Sequence, residues 1–278
     1  MNLEALASGR LDAWFALAGV FVFGLMVGSF LNVCIWRIPA EEGIVRGRSH
    51  CRKCGKMIAW YDNIPLASFV VLGGKCRHCR AGIAWSYPAV ELGTGVLFAG
   101  LVARFGFSWA ALVYGALGAA LIVLSVIDLK EMILPDEITV PGIPIAIGLS
   151  FLVPCLHLAT SRWQGLWLGL AGATAGAGVL LAIRTLGTWF FKKEAMGLGD
   201  VKLMAMVGAL IGPWKVLLVD FILAPVLGSV VGIAVLVRQR KALIPIPYGP
   251  FLALGTIVAV FWGDAILGWY RDLFWSGI

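Results

Sequence analysis

The feature that most constrains this chain is its run of long apolar segments. Eight can be read, over residues 13–35, 87–104, 108–127, 138–157, 165–184, 199–213, 215–237 and 250–267. Several reach the ~20 residues an α-helix needs to cross a hydrocarbon core. In such a core each backbone N–H and C=O must be satisfied within the segment, so helices are the expected solution. Composition agrees: 60% of the 278 residues are hydrophobic and 13% are charged, about half the charged fraction of a soluble domain. The expected fold is an all-α polytopic membrane protein of about eight transmembrane helices with a small cytoplasmic insert. Its expected parts are a first transmembrane helix (1–36), an insert (37–86) and a helical bundle (87–278). The sixth segment is short and covers only ~20 Å, so it is expected deep in the bundle. "GLAGATAGAG" (169–178) offers a small-residue face for close helix packing. Residues 1–12 lack the basic region that opens a cleaved signal peptide, so the first segment is read as a retained span.

Charge orients the chain. Arg37 to Arg80 holds nine basic residues and three acidic ones, which the positive-inside rule places in the cytoplasm. Threading eight spans from there puts Lys130, Arg184, Lys192, Lys193, Lys202, Arg238, Arg240 and Lys241 on the same side. Arg10, Arg104, Arg162, Lys215 and Arg271 fall on the other, so the bias is seventeen against five. Both termini are expected outside. The net charge of +7 then reflects topology and attraction to anionic lipid. No basic, aromatic-interleaved soluble surface points to nucleic acid.

The insert contains "CRKCGKMIAWYDNIPLASFVVLGGKCRHC". Cys51 and Cys54 form one C-x2-C knuckle, Cys76 and Cys79 another, with 21 residues between. Four thiolates in two knuckles suit tetrahedral Zn²⁺, and a reducing cytoplasm disfavours structural disulfides. A structural zinc site is therefore expected at Cys51, Cys54, Cys76 and Cys79. Four free thiols or a redox pair are the alternatives, although no βαβ pattern surrounds the knuckles. His50 and His78 read as surface residues, and Cys34 and Cys155 as packing residues.

Two aspartates bound apolar segments at the same expected depth. Asp128 ends the third segment; Asp200, in "EAMGLGDVKLMAMVGALIG" (194–212), opens the sixth. Ionisable residues in membrane segments are functional candidates. Two facing carboxyls can share a proton, one serving as general base toward water and the other as general acid. Gly197 and Gly199 would permit a sharp turn and let a substrate backbone approach Asp200. The competing readings are plain: Asp200 caps a helix, Asp128 pairs with Lys130, and Asp136 caps the fourth segment. Glu131, Glu137 and Glu194 read as interfacial charges. No H-E-x-x-H, G-x-S-x-G or P-loop is present.

The ordered motifs resemble one family. "GLGDVKL" (197–203) resembles the G-x-G-D motif of membrane aspartyl proteases. With "DLKEMILPDEIT" (128–139), "GSFLNVCIWRIP" (28–39), the paired knuckles, "YPAVELGTG" (87–95) and "IPYGPFLALG" (246–255), the chain is similar to type IV prepilin peptidases. The resemblance implies cleavage of the leader of prepilins and type II secretion pseudopilins at the cytoplasmic side of a bacterial inner membrane. It also implies methylation of the new N-terminal residue, with S-adenosylmethionine as donor. Asp128 and Asp200 fall on the family's catalytic aspartates. Glu91 and Asn32 are candidates for contacts to the methyl donor. The alternatives are a peptidase alone with a structural zinc loop, or a non-enzymatic transporter or assembly scaffold.

Overall fold

The computed structural model of the protein describes residues 11–44, 49–192, 196–239 and 246–275. Arg10, Arg46, Arg48, Lys193, Glu194, Arg240 and Lys241, used above, lie outside the described residues. Among the described residues all regular structure is helical, apart from two isolated β-bridges. The chain divides into two compact units, with the boundary between Val123 and Leu124.

In the first unit, α1 (Leu11–Arg37) packs along α3 (Ser86–Phe105). Asn32 Nδ2 donates to the Tyr87 carbonyl at 3.1 Å, and Phe23 meets Phe98 with ring centroids 6.2 Å apart. The insert between them contains a 3-10 turn (Trp60–Asn63), the five-residue α2 (Ala67–Val71) and the two cysteine knuckles. The long α4 (Trp109–Glu131) follows, and the boundary between units falls within it.

The second unit holds the end of α4, then α5 (Asp136–Leu152), a 3-10 turn (Pro154–His157), α6 (Arg162–Phe191) and α7 (Leu198–Ile211). Next, α8 (Pro213–Leu218) runs through a π-helical turn (Val219–Leu223) into α9 (Ala224–Gln239), and α10 (Gly249–Trp275) closes the unit. Punctuation follows the sequence. Ser161 caps α6 by accepting from the Gln164 amide at 3.1 Å. Gly212, at φ +83°, ends α7, and Pro213 starts α8 at a position where its missing N–H costs nothing.

α7 is the core of this unit: Asp200, Val201 and every residue from Leu203 to Ile211 are buried. The small-residue face of α6 lies on it. A Cβ on Gly172 or on Gly208 would strike the other's backbone, so the two helices approach almost backbone to backbone. The expected deep position of the sixth segment is what the fold contains.

The expected number of spans was eight. Among the described residues, six helical stretches are long and apolar enough to cross a membrane: Ala13–Arg37, Ser86–Phe105, Trp109–Glu131, Arg162–Phe190, Pro213–Arg238 and Gly249–Leu273. α5, with 17 residues, and α7, with 14, fall short. α5 stops at Leu152 because Pro154 disfavours a helical Val153, which sits at φ −125°, ψ 69°. The apolar run to His157 thus overstated that helix.

Candidate functional site

In the second unit, Asp128 lies in the last turn of α4 and Asp200 in the first turn of α7. They stand 72 residues apart in sequence, both are buried, and Asp200 lies within electrostatic reach of Asp128. Asp128 is held from a third place in the chain: the Gly249 amide, at the start of α10, donates to Asp128 Oδ2 at 2.9 Å. A Cβ on Gly249 would sit 2.7 Å from that oxygen, so only glycine brings the amide so close.

Asp200 is not a helix cap. Gly197 occupies the N-cap position without a side-chain bond, and Asp200 follows three residues later, in the field of the helix N-terminus. Gly197 has ordinary extended backbone (φ −69°), so its lack of a side chain matters for space rather than for a turn. A Cβ there would stand 3.5 Å from Asp200 Oδ2. Gly199 admits Leu134: a Cβ on it would lie 2.9 Å from the Leu134 Cβ. Leu134 also reaches Gly249 and so lies against both the segment carrying Asp200 and the amide that holds Asp128. Asp136 opens α5 and pairs with Lys202 Nζ at 2.7 Å, tying α5 to α7 on an exposed side; Pro135 takes the cap position.

Sequence reasoning assigned no part to Gly249, Leu134, Tyr248 or Asp220. Tyr248 precedes Gly249, and its phenol is pushed up to about 12 by burial, with the charges of Asp220 and Asp200 adding to the effect. It therefore keeps its hydrogen. Asp220 sits on the π-helical turn, 2% exposed, and neither carboxyl oxygen has a hydrogen-bond partner among the described residues. The signal for it was available, as the lone charge between Lys215 and Arg238.

In the first unit, the Sγ atoms of Cys51, Cys54, Cys76 and Cys79 all lie within 4.8 Å of one another. Cys51 and Cys79 are 3.7 Å apart. A tetrahedral ion with metal–sulfur bonds of ~2.3 Å sets its sulfurs about 3.8 Å apart, so the set fits a metal ion. The knuckles repeat one another at an offset of 25 residues: the bridges His50–Met57 and Lys75–Gly82 correspond. So do the bonds Gly55 N–Cys51 O and Arg80 N–Cys76 O, at 2.7 and 3.0 Å. Gly55 and Arg80 both have positive φ, +69° and +56°. The backbone amides of Cys54 and then Lys53 pull the Cys51 thiol down to about 6. The Ala81 amide pulls on Cys79 as well, but burial and the neighbouring thiols outweigh it and push Cys79 up to about 11. A cation among the four would relieve this competition for negative charge. His50 and His78 are exposed, as expected. Cys34 is buried, whereas Cys155 is exposed.

Beside the cluster lies a cavity of about 340 Å³, lined by Trp36, Arg52, Leu66, Tyr87 and Glu91 among others. The Arg52 guanidinium stacks 3.6 Å above the Trp36 ring. Glu91 is buried and accepts from the Leu66 amide at 2.9 Å; Leu66 itself sits at φ +57°. The cavity is thus tied to the membrane helix through one carboxylate. Asn32 is also buried but is not part of the lining; it holds the Tyr87 carbonyl.

Comparison with known proteins matches the regions of the chain that contain both sites. The bacterial peptidase A24 N-terminal domain matches residues 22–105, and the type IV leader peptidase family matches residues 115–233. A prepilin leader peptidase/N-methyltransferase of Stutzerimonas stutzeri is 37% identical over 96% of this chain and 97% of its own length. One from Pseudomonas aeruginosa is 35% identical over 96% and 97%. One from Myxococcus xanthus is 41% identical over 80% of this chain, which spans 64% of that protein's length. No solved structure matches. With a buried aspartate pair inside one matched region, a four-cysteine cluster inside the other, and such identity over nearly the whole chain, this protein belongs to the prepilin leader peptidase/N-methyltransferase family.

Proposed function

We propose that the chain is a bifunctional processing enzyme. It cleaves the leader from type IV prepilins or type II secretion pseudopilins by aspartyl-protease chemistry, then methylates the new N-terminal residue. The observation that supports this reading is the burial of Asp128 and Asp200, two carboxyls from helices far apart in sequence and within electrostatic reach of one another, with the Gly249 amide bonded to Asp128.

In the first reaction, one carboxylate takes a proton from water as the water oxygen attacks the scissile carbonyl. The other carboxyl, protonated, donates to the carbonyl oxygen and then to the leaving amine. The products are a carboxylate on the leader and an amine on the mature protein. Gly249 keeps one Asp128 oxygen engaged, leaving the other to face the water. The absence of side chains at Gly197 and Gly199 gives the substrate backbone access to Asp200.

In the second reaction, S-adenosylmethionine supplies an electrophilic methyl group on a sulfonium centre. The cavity in the first unit is of a size to hold it. Its aromatic walls, Trp36 and Tyr87, suit a flat base and a cation, and Glu91 is placed to hold a positive group. Asn32 supports that wall from behind through Tyr87. Zinc on Cys51, Cys54, Cys76 and Cys79 would be structural, a closed set of four ligands holding an insert whose own core is small. The positive bias of the insert and of the segment ends supports an inner-membrane protein with both sites facing the cytoplasm and both termini periplasmic.

The test uses the full chain in detergent, a synthetic prepilin N-terminal segment and S-adenosylmethionine, read by mass spectrometry. Loss of the leader together with ~14 Da on the mature fragment, both absent in Asp200→Ala, is the expected result. Leader loss without added mass leaves a peptidase alone. No cleavage of several prepilin segments overturns the reading.

A further inference from the structure

The insert of the first unit shows apolar side chains that a module facing water would hide. Val70 and Val71, at the end of α2, are 75% and 79% exposed, and Trp85 is 78% exposed. Scattered exposed apolar residues are ordinary in a folded protein. These three are different because of where the structure holds them. Trp85 directly precedes α3, a helix long and apolar enough to cross a membrane, and tryptophan is the residue that marks the edge of a bilayer.

Two contacts fix α2 beside that entry point. The Leu66 amide, just ahead of α2, donates to Glu91 Oε2 at 2.9 Å. Glu91 stands five residues after Ser86, about 7.5 Å along the axis of α3, and side chains on a helix lean back toward its N-terminus. The start of α2 is therefore level with the first turns of the span rather than above them. Within α2, the Phe69 ring meets the Trp85 ring with centroids 5.0 Å apart. The Ser68 hydroxyl donates to the Tyr61 carbonyl at 2.9 Å and ties the Trp60–Asn63 turn to the same helix. An interfacial helix buries its apolar face about 5–10 Å into the boundary between headgroups and acyl chains, which is the level at which Leu66 is held.

The side chains of this segment divide accordingly. Leu66, Phe69 and Leu72, three residues apart, line the cavity described above, and Val70 and Val71 do not. Two valines expose too little to hold a partner protein, whose interface takes about 800 Å² a side. The charge around them is also one-sided. From His50 to Arg80 the insert carries Arg52, Lys53, Lys56, Lys75, Arg77 and Arg80 against Asp62 alone, and Asp62 pairs with Arg77. That balance complements anionic headgroups.

We propose that α2 is an interfacial helix, which seats the insert on the anionic lipid surface that α1 leaves and α3 enters, with Val70 and Val71 in the boundary between headgroups and acyl chains. The occupant of the exposed face is phospholipid. The wall that Leu66, Phe69 and Leu72 give to the cavity is then backed by lipid, and the cavity stands at the level of the bilayer surface. This inference rests on the membrane spans of the first unit and on neither reaction proposed above.

The test uses the full chain in nanodiscs of phosphatidylethanolamine and phosphatidylglycerol. Val70→p-benzoylphenylalanine and Val71→p-benzoylphenylalanine each place a photoreactive ketone on the exposed face. After irradiation, the main adduct on the peptide that holds the label should have the mass of one phospholipid. Adducts that stay within the chain, adducts that join two copies of it, or no adduct at all overturn the proposal. A second measurement needs no label. In the same nanodiscs, Val70→Asp with Val71→Asp should speed amide exchange over Ala67–Leu72 by at least about fivefold, because carboxylates lift the helix off the lipid. Exchange over Cys76–Arg80 should stay as in wild type, which shows that the insert keeps its fold. Unchanged exchange over Ala67–Leu72 overturns the proposal, since side chains that face only water lose nothing when they become charged.

Discussion

The cysteine cluster and the aspartate pair are both constellations of acidic or potentially anionic side chains, yet they are assembled in opposite ways. The four thiols come from one stretch of 29 residues, Cys51 to Cys79, and two copies of one short turn present them. The aspartates come from α4 and α7, and a third segment, at Gly249, sets one of them. The first site is local, with all four of its thiols inside the insert. The second depends on three helices docking in register. A local site is set by its own turns; a distributed site is tied to the packing of the whole unit.

The largest expected effect falls on the distributed site. Asp128→Ala and Asp200→Ala each lower leader cleavage by about 10³-fold or more, while methylation of an already processed peptide persists. Loss of both activities together would show that the two regions are not separable. Next comes the cluster. Cys51→Ser with Cys54→Ser, or a strong chelator, should take metal content from one ion per chain to none by elemental analysis. Methylation should then fall at least about tenfold, because a structural metal's binding energy is folding energy, with cleavage changed far less. Equal loss of cleavage would contradict the local character of the site.

A smaller effect sharpens the contrast. Gly249→Ala places a Cβ 2.7 Å from Asp128 Oδ2 and should displace that carboxyl. We expect kcat to fall about ten- to hundredfold with KM nearly unchanged, as when a reacting group is misplaced by about 1 Å. Unchanged kcat would remove Gly249 from the site. The smallest effect is in the insert, where Arg77 Nη2 meets Asp62 Oδ1 at 2.6 Å. The hydrogen bond from Arg77 holds the Asp62 carboxyl below the usual carboxylate range. Its stabilisation is therefore fully present above the ordinary value of about 3.9 and lost as pH falls through the lower folded value. Asp62→Asn should cost the insert a little thermal stability, as exposed ion pairs do, and equally at pH 6 and pH 8. A cost that varied between those two values would mean that another titrating group is involved.

What could be read in advance follows the same division. The C-x2-C spacing announced the cluster because the chemistry is local, although the 25-residue repeat of turn geometry was hidden by the replacement of Gly55 with Arg80 in the second copy. Asp128 and Asp200 were legible as charges at the ends of apolar segments, and topology placed them at one depth. That they come within electrostatic reach of each other depends on how α4 and α7 dock, with Leu134 against Gly199, which periodicity does not encode. Gly249 was visible only as part of the quoted "IPYGPFLALG" stretch, since a backbone amide leaves no trace in residue type. Asp220 was missed although it interrupts an apolar run; the π turn that carries it has no sequence signature. The fourth segment gave a shorter helix than its apolar run, because Pro154 stops α5, while the sixth was already legible as short, since Gly212 and Pro213 follow it.

The burial of α7 has a mechanical consequence. A membrane helix that touches lipid answers changes in bilayer thickness by tilting or by drawing in its ends. α7 is clasped by its neighbours along nearly its whole length, so Asp200 hangs from protein rather than from lipid. Stretching or thinning the surrounding bilayer should load the outer helices first and leave the depth of this carboxyl almost unchanged. The end of α7 that carries Asp200 behaves as a fixed post in a compliant wall, and on the proposed reading cleavage should tolerate lipids of different chain length better than the fold's outer contour does.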